Sequence, residues 1–301
     1  MTTYKASVVP HSFAFGFYRQ SWWSWLIGSA FFFGEIGAGL FLVSLLTAQP
    51  LGMLIGYLIV VVGKNLAHLM YLGRPERFWR AAMRPDRSWI ARGIWAVGIF
   101  AVTGFAVLLP YLFGSEWQLT GWAQSVVYVL AGVTALFIMF YDGFVMNFSP
   151  AIPFWHTNLL PLLCLTYATL GGVTLSLTLS ELTGTTSAYS GLLMRIEYAL
   201  LVTNFVLLAI YLYRMSRSLP AAQETVRSLL KGPYATVFVG LVIILGLVGT
   251  IILASLHLWL GAVWLFVAIA VTELTGDFAL LMVLLKSGLF STQAPPTSQP
   301  G

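Results

Sequence analysis

One cysteine, four histidines and a charged fraction of only 8% leave this 301-residue chain short of the groups that most redox and metal chemistry needs. The lone Cys164 excludes an intramolecular disulfide and offers no set of thiolates for an iron–sulfur cluster. Haem is disfavoured by a similar count. His11 precedes the first apolar run, and His156 and His257 fall at the ends of later runs on opposite sides, so only a His68–His156 pair leaves bis-histidine ligation open. The expectation is a chain with no haem, no iron–sulfur cluster and no metal site of its own. The scarcity of charge excludes more. A soluble domain carries about a quarter charged residues, whereas here 59% of residues are hydrophobic, which makes the chain an all-α integral membrane protein.

Crossing about 30 Å of hydrocarbon takes roughly 20 mostly apolar residues. Eight segments qualify, at about 22–46, 53–72, 90–113, 123–144, 158–182, 193–213, 234–256 and 258–285, with the last two meeting at His257-Leu258-Trp259. Residues 1–21 form an N-terminal interfacial segment, 22–286 the eight-helix membrane domain, and 287–301, rich in Pro, Ser, Thr and Gln, a disordered tail. Lys5, Pro10, His11 and Arg19 interrupt any apolar core before the first span, so no cleavable leader is expected.

With eight spans, one side receives Lys5, Arg19, the cluster Arg74 to Arg92, then Arg214, Arg217, Arg227, Lys231 and Lys286. Arg195, at the start of the sixth span, is the only basic residue near the other side. The asymmetry predicts both termini and the basic loops in the cytoplasm of a prokaryote, across its inner membrane. The net charge of +5 sits in loops bordering the bilayer with no folded basic domain behind it, which argues against nucleic acid and for anionic lipid or an acidic partner face. Within the largest loop, Pro75 suits a first helical turn, and Arg77, Arg80, Arg84 and Arg87 recur at three- and four-residue steps. A helix lying flat in the interface is expected there.

Ionisable residues inside spans cost about 2.5–3.5 kcal/mol each at mid-bilayer and face a bundle interior or cavity. Glu35 lies near the centre of the first span; Glu273 and Asp277 lie one helical turn apart in the last. Lys64, Asn65 and His68 close the second span, Tyr141 and Asp142 the fourth, and His156 and Asn158 open the fifth. All of these fall toward the basic-loop side. Trp79, Trp89 and Trp155 are read as interface anchors, and Gly34, Gly37 and Gly39 as sites of close helix approach.

Gly34-Glu35-Ile36-Gly37-Ala38-Gly39, Gly73-Arg74-Pro75-Glu76-Arg77-Phe78-Trp79-Arg80 with Ser88-Trp89-Ile90-Ala91-Arg92-Gly93, and Tyr141-Asp142-Gly143-Phe144 followed by Ile152-Pro153-Phe154-Trp155-His156-Thr157 resemble the NrfD/polysulfide-reductase membrane-anchor family. The resemblance runs from about Trp22 to Leu285. It implies two four-helix bundles, and a quinone (menaquinone or ubiquinone) exchanging electrons with a ferredoxin-like iron–sulfur subunit attached to a molybdopterin or other catalytic subunit. On that reading His68, Tyr141 and Asn65 contact the quinone, Asp142 accepts protons, and Arg74, Arg77 and Arg80 dock the partner. Glu35, Glu273 and Asp277 would line a proton route toward Glu181 and Arg195. The alternative reading is a proton- or ion-coupled transporter built on the same interior carboxylates.

Overall fold

The computed structural model describes residues 17–185 and 188–291; the expected N-terminal segment up to residue 16 and the tail from residue 292 lie outside them. Among the described residues, eight helices are long and apolar enough to cross a membrane: α1 Trp25–Leu46, α2 Pro50–Tyr71, α3 Trp89–Phe113, α4 Gly121–Asn147, α5 Leu159–Thr183, α6 Ser190–Ser216, α8 Thr236–Leu260 and α9 Trp264–Lys286. Between α6 and α8 lies the short amphipathic α7, Pro220–Lys231. The protein is a multi-pass all-α membrane protein. The last turnaround falls later than the apolar pattern suggested. His257, Leu258 and Trp259 stay in α8, and Gly261 ends it with φ of 59°, a left-handed backbone that glycine adopts at no steric cost. In α2 the segment Ile59–Lys64 is a π-helix, as is Thr236–Gly249 in α8, an irregularity that apolar periodicity does not reveal.

Three helices form the centre. α1, α5 and α9 are the most enclosed, while the other five turn most of their apolar surface outward, as helices in lipid do. α1 packs against α2, α4, α5 and α9; α5 also meets α4, α6 and α9; α3 lies on α4 and α2, and α8 lies on α9. Small residues set these distances, because no hydrophobic force separates helix from lipid and close backbone contact must do the work. A Cβ at Gly39 would overlap the Ala168 carbonyl of α5, one at Gly172 would overlap Gly39, and Gly246 and Gly276 oppose each other between α8 and α9.

The even number of crossings brings both described ends to one side. There β1, Tyr18–Arg19, pairs antiparallel with β2, Leu289–Phe290. Gln20 closes the junction by donating to the Leu285 carbonyl at 2.7 Å and accepting from the Trp23 N–H at 2.9 Å. The expected disordered tail is therefore ordered over Ser287–Ser291, because backbone groups there find strand and loop partners. The α4–α5 connection on this side folds inward. Ile152, Phe154 and Trp155 are buried, Tyr211 donates to the Phe154 carbonyl at 2.6 Å, and the Trp155 indole donates to Leu284 at 2.8 Å while stacking on Trp23. Trp155 is a core residue rather than an interface anchor.

The arginine loop differs from the expected continuous helix. Pro75–Ala82 forms a 3₁₀-helix with Pro75 at its start, and a turn over Pro85–Arg87 ends the periodicity. Arg92 donates to the carbonyls of Pro85 and Asp86, and Trp95 to that of Ala82, so α3 ties the loop down.

Candidate functional site

Lys64 sits at the end of the π-segment on the same inward stripe as Val60 and Ala67. Its side chain crosses α1 over Gly34, where an added Cβ would stand 2.6 Å from Nζ. Nζ is 3.4 and 3.5 Å from the two carboxylate oxygens of Asp142 and 3.3 Å from the Ala30 carbonyl. Lys64 is 2% exposed and Asp142 0%, so this is an ion pair shut off from solvent. Phe31 and Tyr141 present ring faces 5.5 and 5.4 Å from the ammonium. Carboxylate, carbonyl and two π-faces together replace the hydration the cation has lost. The Tyr141 ring in turn fits only because residue 93 is glycine.

His68 stands one turn beyond Lys64, half-buried, with its ring 6.3 Å from that of Phe31. Its Nδ1 lies 3.0 Å from the Lys64 carbonyl. A carbonyl can only accept, so Nδ1 carries the hydrogen, and the neutral ring offers Nε2 as an acceptor. His68, Tyr141 and Asp142 thus meet around Lys64. Asn65 does not join them by a hydrogen bond, since its amide donates to the Val61 carbonyl of its own helix at 2.9 Å. His156 is exposed and held by the Asn147 carbonyl at 2.7 Å, and Asn158 accepts from the Asn147 amide at 3.1 Å. Arg74, Arg77 and Arg80 are exposed on the loop at the same end; Arg77 reaches Glu76 at 3.8 Å, and Arg80 lies over the Trp79 ring.

A second set of polar groups runs inward from this pair. Glu35 is buried in α1 and Cys164 in α5. Glu35, Cys164, Tyr167 and Asp277 then line a cavity of about 10 Å³, enough for a single water. Glu35 Oε1, Tyr167 Oη and Asp277 Oδ2 have no protein hydrogen-bond partner. One turn from Asp277, the carboxyl of Glu273 meets the Thr174 hydroxyl, which also lies 2.7 Å from Glu197 Oε1. A threonine hydroxyl has one hydrogen. It can donate to one of these carboxyls and must accept from the other, so the bridge requires a proton on one acid.

Of the far-side residues expected to end the route, Arg195 is exposed and Glu181 half-buried, whereas Glu197, two residues after Arg195, faces the interior. Glu197, Thr174 and Tyr167 were missed from the sequence. An acidic residue within an apolar run is the signal that marks Glu197. Among the described residues five buried carboxyls face one buried ammonium. An isolated buried ion is penalised by several kcal/mol, so these acids cannot all be anions together.

Fold and site define a polytopic helical membrane protein with an ion pair at one end of its interior and a file of carboxyls behind it. The sequence model of the family described as polysulphide reductase, NrfD, matches residues 15–292, and the chain belongs to that family. Membership makes it a membrane-anchor subunit of an oxidoreductase complex that works with redox partner subunits. A search of curated proteins gave no match.

Proposed function

We propose that this chain is the quinone-reactive anchor of a respiratory complex in a prokaryotic cytoplasmic membrane. It exchanges electrons with a ferredoxin-like iron–sulfur subunit serving a molybdopterin or other catalytic subunit. The two four-helix bundles and the cytoplasmic placement of both chain ends belong to the same proposal. The observation that carries it is the meeting of His68, Tyr141 and the Lys64–Asp142 pair at the end of the bundle that bears Arg74, Arg77 and Arg80.

These groups fit a menaquinone or ubiquinone head, which needs hydrogen-bonding partners at its oxygens and a proton acceptor nearby. A bound quinol supplies two electrons and two protons, the electrons passing to the partner's cluster. His68, half-exposed with Nε2 free to accept, takes the outer proton. Tyr141 orients an oxygen through its hydroxyl. Asp142 is fully enclosed against Lys64, so it serves as an inner acceptor reached through that pair rather than as the first base. From there Glu35, the water-sized cavity, Asp277, Glu273, Thr174 and Glu197 form the proposed proton route, with the Thr174 hydroxyl relaying between two acids. The transporter reading draws on the same carboxyls, but room for one water between Glu35 and Asp277 suits a proton and not a larger solute.

The test is optical. The purified complex is mixed with a soluble quinol analogue and reduction of the iron–sulfur clusters is followed. Reduction should be fast in the complete complex and lost when this chain is stripped away. Equal rates without it would overturn the proposal.

A further inference from the structure

We infer that a basic recess between α7 and the two chain ends is a binding site for the phosphate of an anionic phospholipid. The recess has a volume of about 260 Å³ and is lined by Arg19 of β1, Glu224, Arg227, Ser228 and Lys231 of α7, and Ser287 just past α9. Its charge is unbalanced. Glu224 pairs with Arg227 at 3.5 Å, leaving Arg19 and Lys231 as cations with no carboxylate partner among the described residues. Arg19 is held in position over the Tyr234 ring, whose hydroxyl donates to the Lys286 carbonyl at 3.0 Å.

Two further observations point to a ligand of hydrogen-bond-accepting, negative character. Ser228 and Ser287 are 8% and 1% exposed, line the recess, and have hydroxyls with no hydrogen-bond partner. A buried hydroxyl left unpaired is unfavourable, and a phosphate oxygen is the acceptor that both hydroxyls and the cations can share. The depth is that of a head group. Gly232 and Pro233 line the recess only a few residues before α8 begins, and Ser287 follows the last residue of α9 directly. The polar layer on each face of a bilayer is about 5–7 Å deep, which matches sites this close to span ends. Leu230, next in sequence to Lys231, is exposed and gives an acyl chain an apolar side chain beside that end of α7. An acidic protein surface would satisfy the charges but has no use for an exposed leucine beside them. A lipid bound here would clamp α7, β1 and the β2 end of the chain to one leaflet, independently of any quinone chemistry.

The experiment uses the purified complex, delipidated and then titrated with dioleoylphosphatidylglycerol or dioleoylphosphatidylcholine in mixed micelles, with retained lipid counted by native mass spectrometry. The glycerol lipid should be retained in preference. Each juxtamembrane cation adds about 1 kcal/mol of attraction to anionic lipid, so the Arg19→Gln/Lys231→Gln variant should weaken retention roughly twenty- to thirty-fold. Ser287→Ala, a change too small to unfold the protein, should weaken it further. Equal retention of both lipids, retention untouched by the recess variants, or full displacement of the glycerol lipid by millimolar inorganic phosphate would overturn the assignment.

Discussion

Removing one member of the Lys64–Asp142 pair strands the other as an ion inside the protein, and that is a larger loss than removing both. Breaking a buried pair from one side costs about 3–5 kcal/mol, whereas replacing both members by apolar groups of like volume is often close to neutral. Lys64→Met should therefore lower thermal stability in detergent by about that amount, and Lys64→Met/Asp142→Leu should recover most of it. A double variant as unstable as the single one would show that Lys64 is held by Ala30, Phe31 and Tyr141 rather than by Asp142. His68 makes a different case, because among the described residues its one hydrogen bond is to its own helix. His68→Ala should leave the complex assembled and reduce quinol turnover about a hundredfold, the lower range for a general base. Wild-type turnover with a soluble quinol analogue would remove His68 from the site.

At the level of elements, the Gly73–Ser88 connection is anchored from behind by Arg92 and Trp95; Arg87 pairs with Asp86 at 3.3 Å, while Arg74, Arg77 and Arg80 stay exposed with only a 3.8 Å approach of Arg77 to Glu76. That is the arrangement of a docking surface, since guanidinium groups make bidentate, directional bonds to carboxylates. Arg74→Glu/Arg77→Glu should release the peripheral subunits when membranes are washed at moderate salt, and retention equal to wild type after a high-salt wash would leave these residues a topological role only. The helices themselves depend on glycine contacts. α1 and α5 approach through Gly39 and Gly172, so their side chains elsewhere, including Glu35 and Cys164, are brought within reach of each other.

For the whole molecule, the question is whether the file of acids from Asp142 to Glu197 moves protons or only packs helices. Glu35 and Asp277 share a cavity with room for one water, and the Thr174 link between Glu273 and Glu197 already requires a shared proton. In proteoliposomes carrying the complete complex, Glu35→Gln and Glu273→Gln should each keep quinol turnover partly active and abolish the pH change per electron across the membrane. Unaltered proton release in both variants would assign the acids a static role. Glu197→Gln extends the same measurement to the residue nearest the far end of the file.

The number of crossings, the side that gathers basic residues and the presence of acids within spans were all legible in one dimension, because each follows from runs of apolar residues and from the penalty on charge in hydrocarbon. The same rule, applied to Glu197, would have found it. Other features had no local signature. The partner of Lys64 lies on another helix, and only packing brings Asp142 within 3.4 Å of it. Trp155 reads as an interface anchor in the sequence and becomes core because its loop folds inward onto Leu284 and Trp23. The first residues of the tail read as polar coil but become a strand because residues far away in sequence, Tyr18 and Arg19, supply the ladder. Pairing of this kind depends on which helices touch, and contacts between helices are set by glycine positions and side-chain volumes that no single span displays on its own.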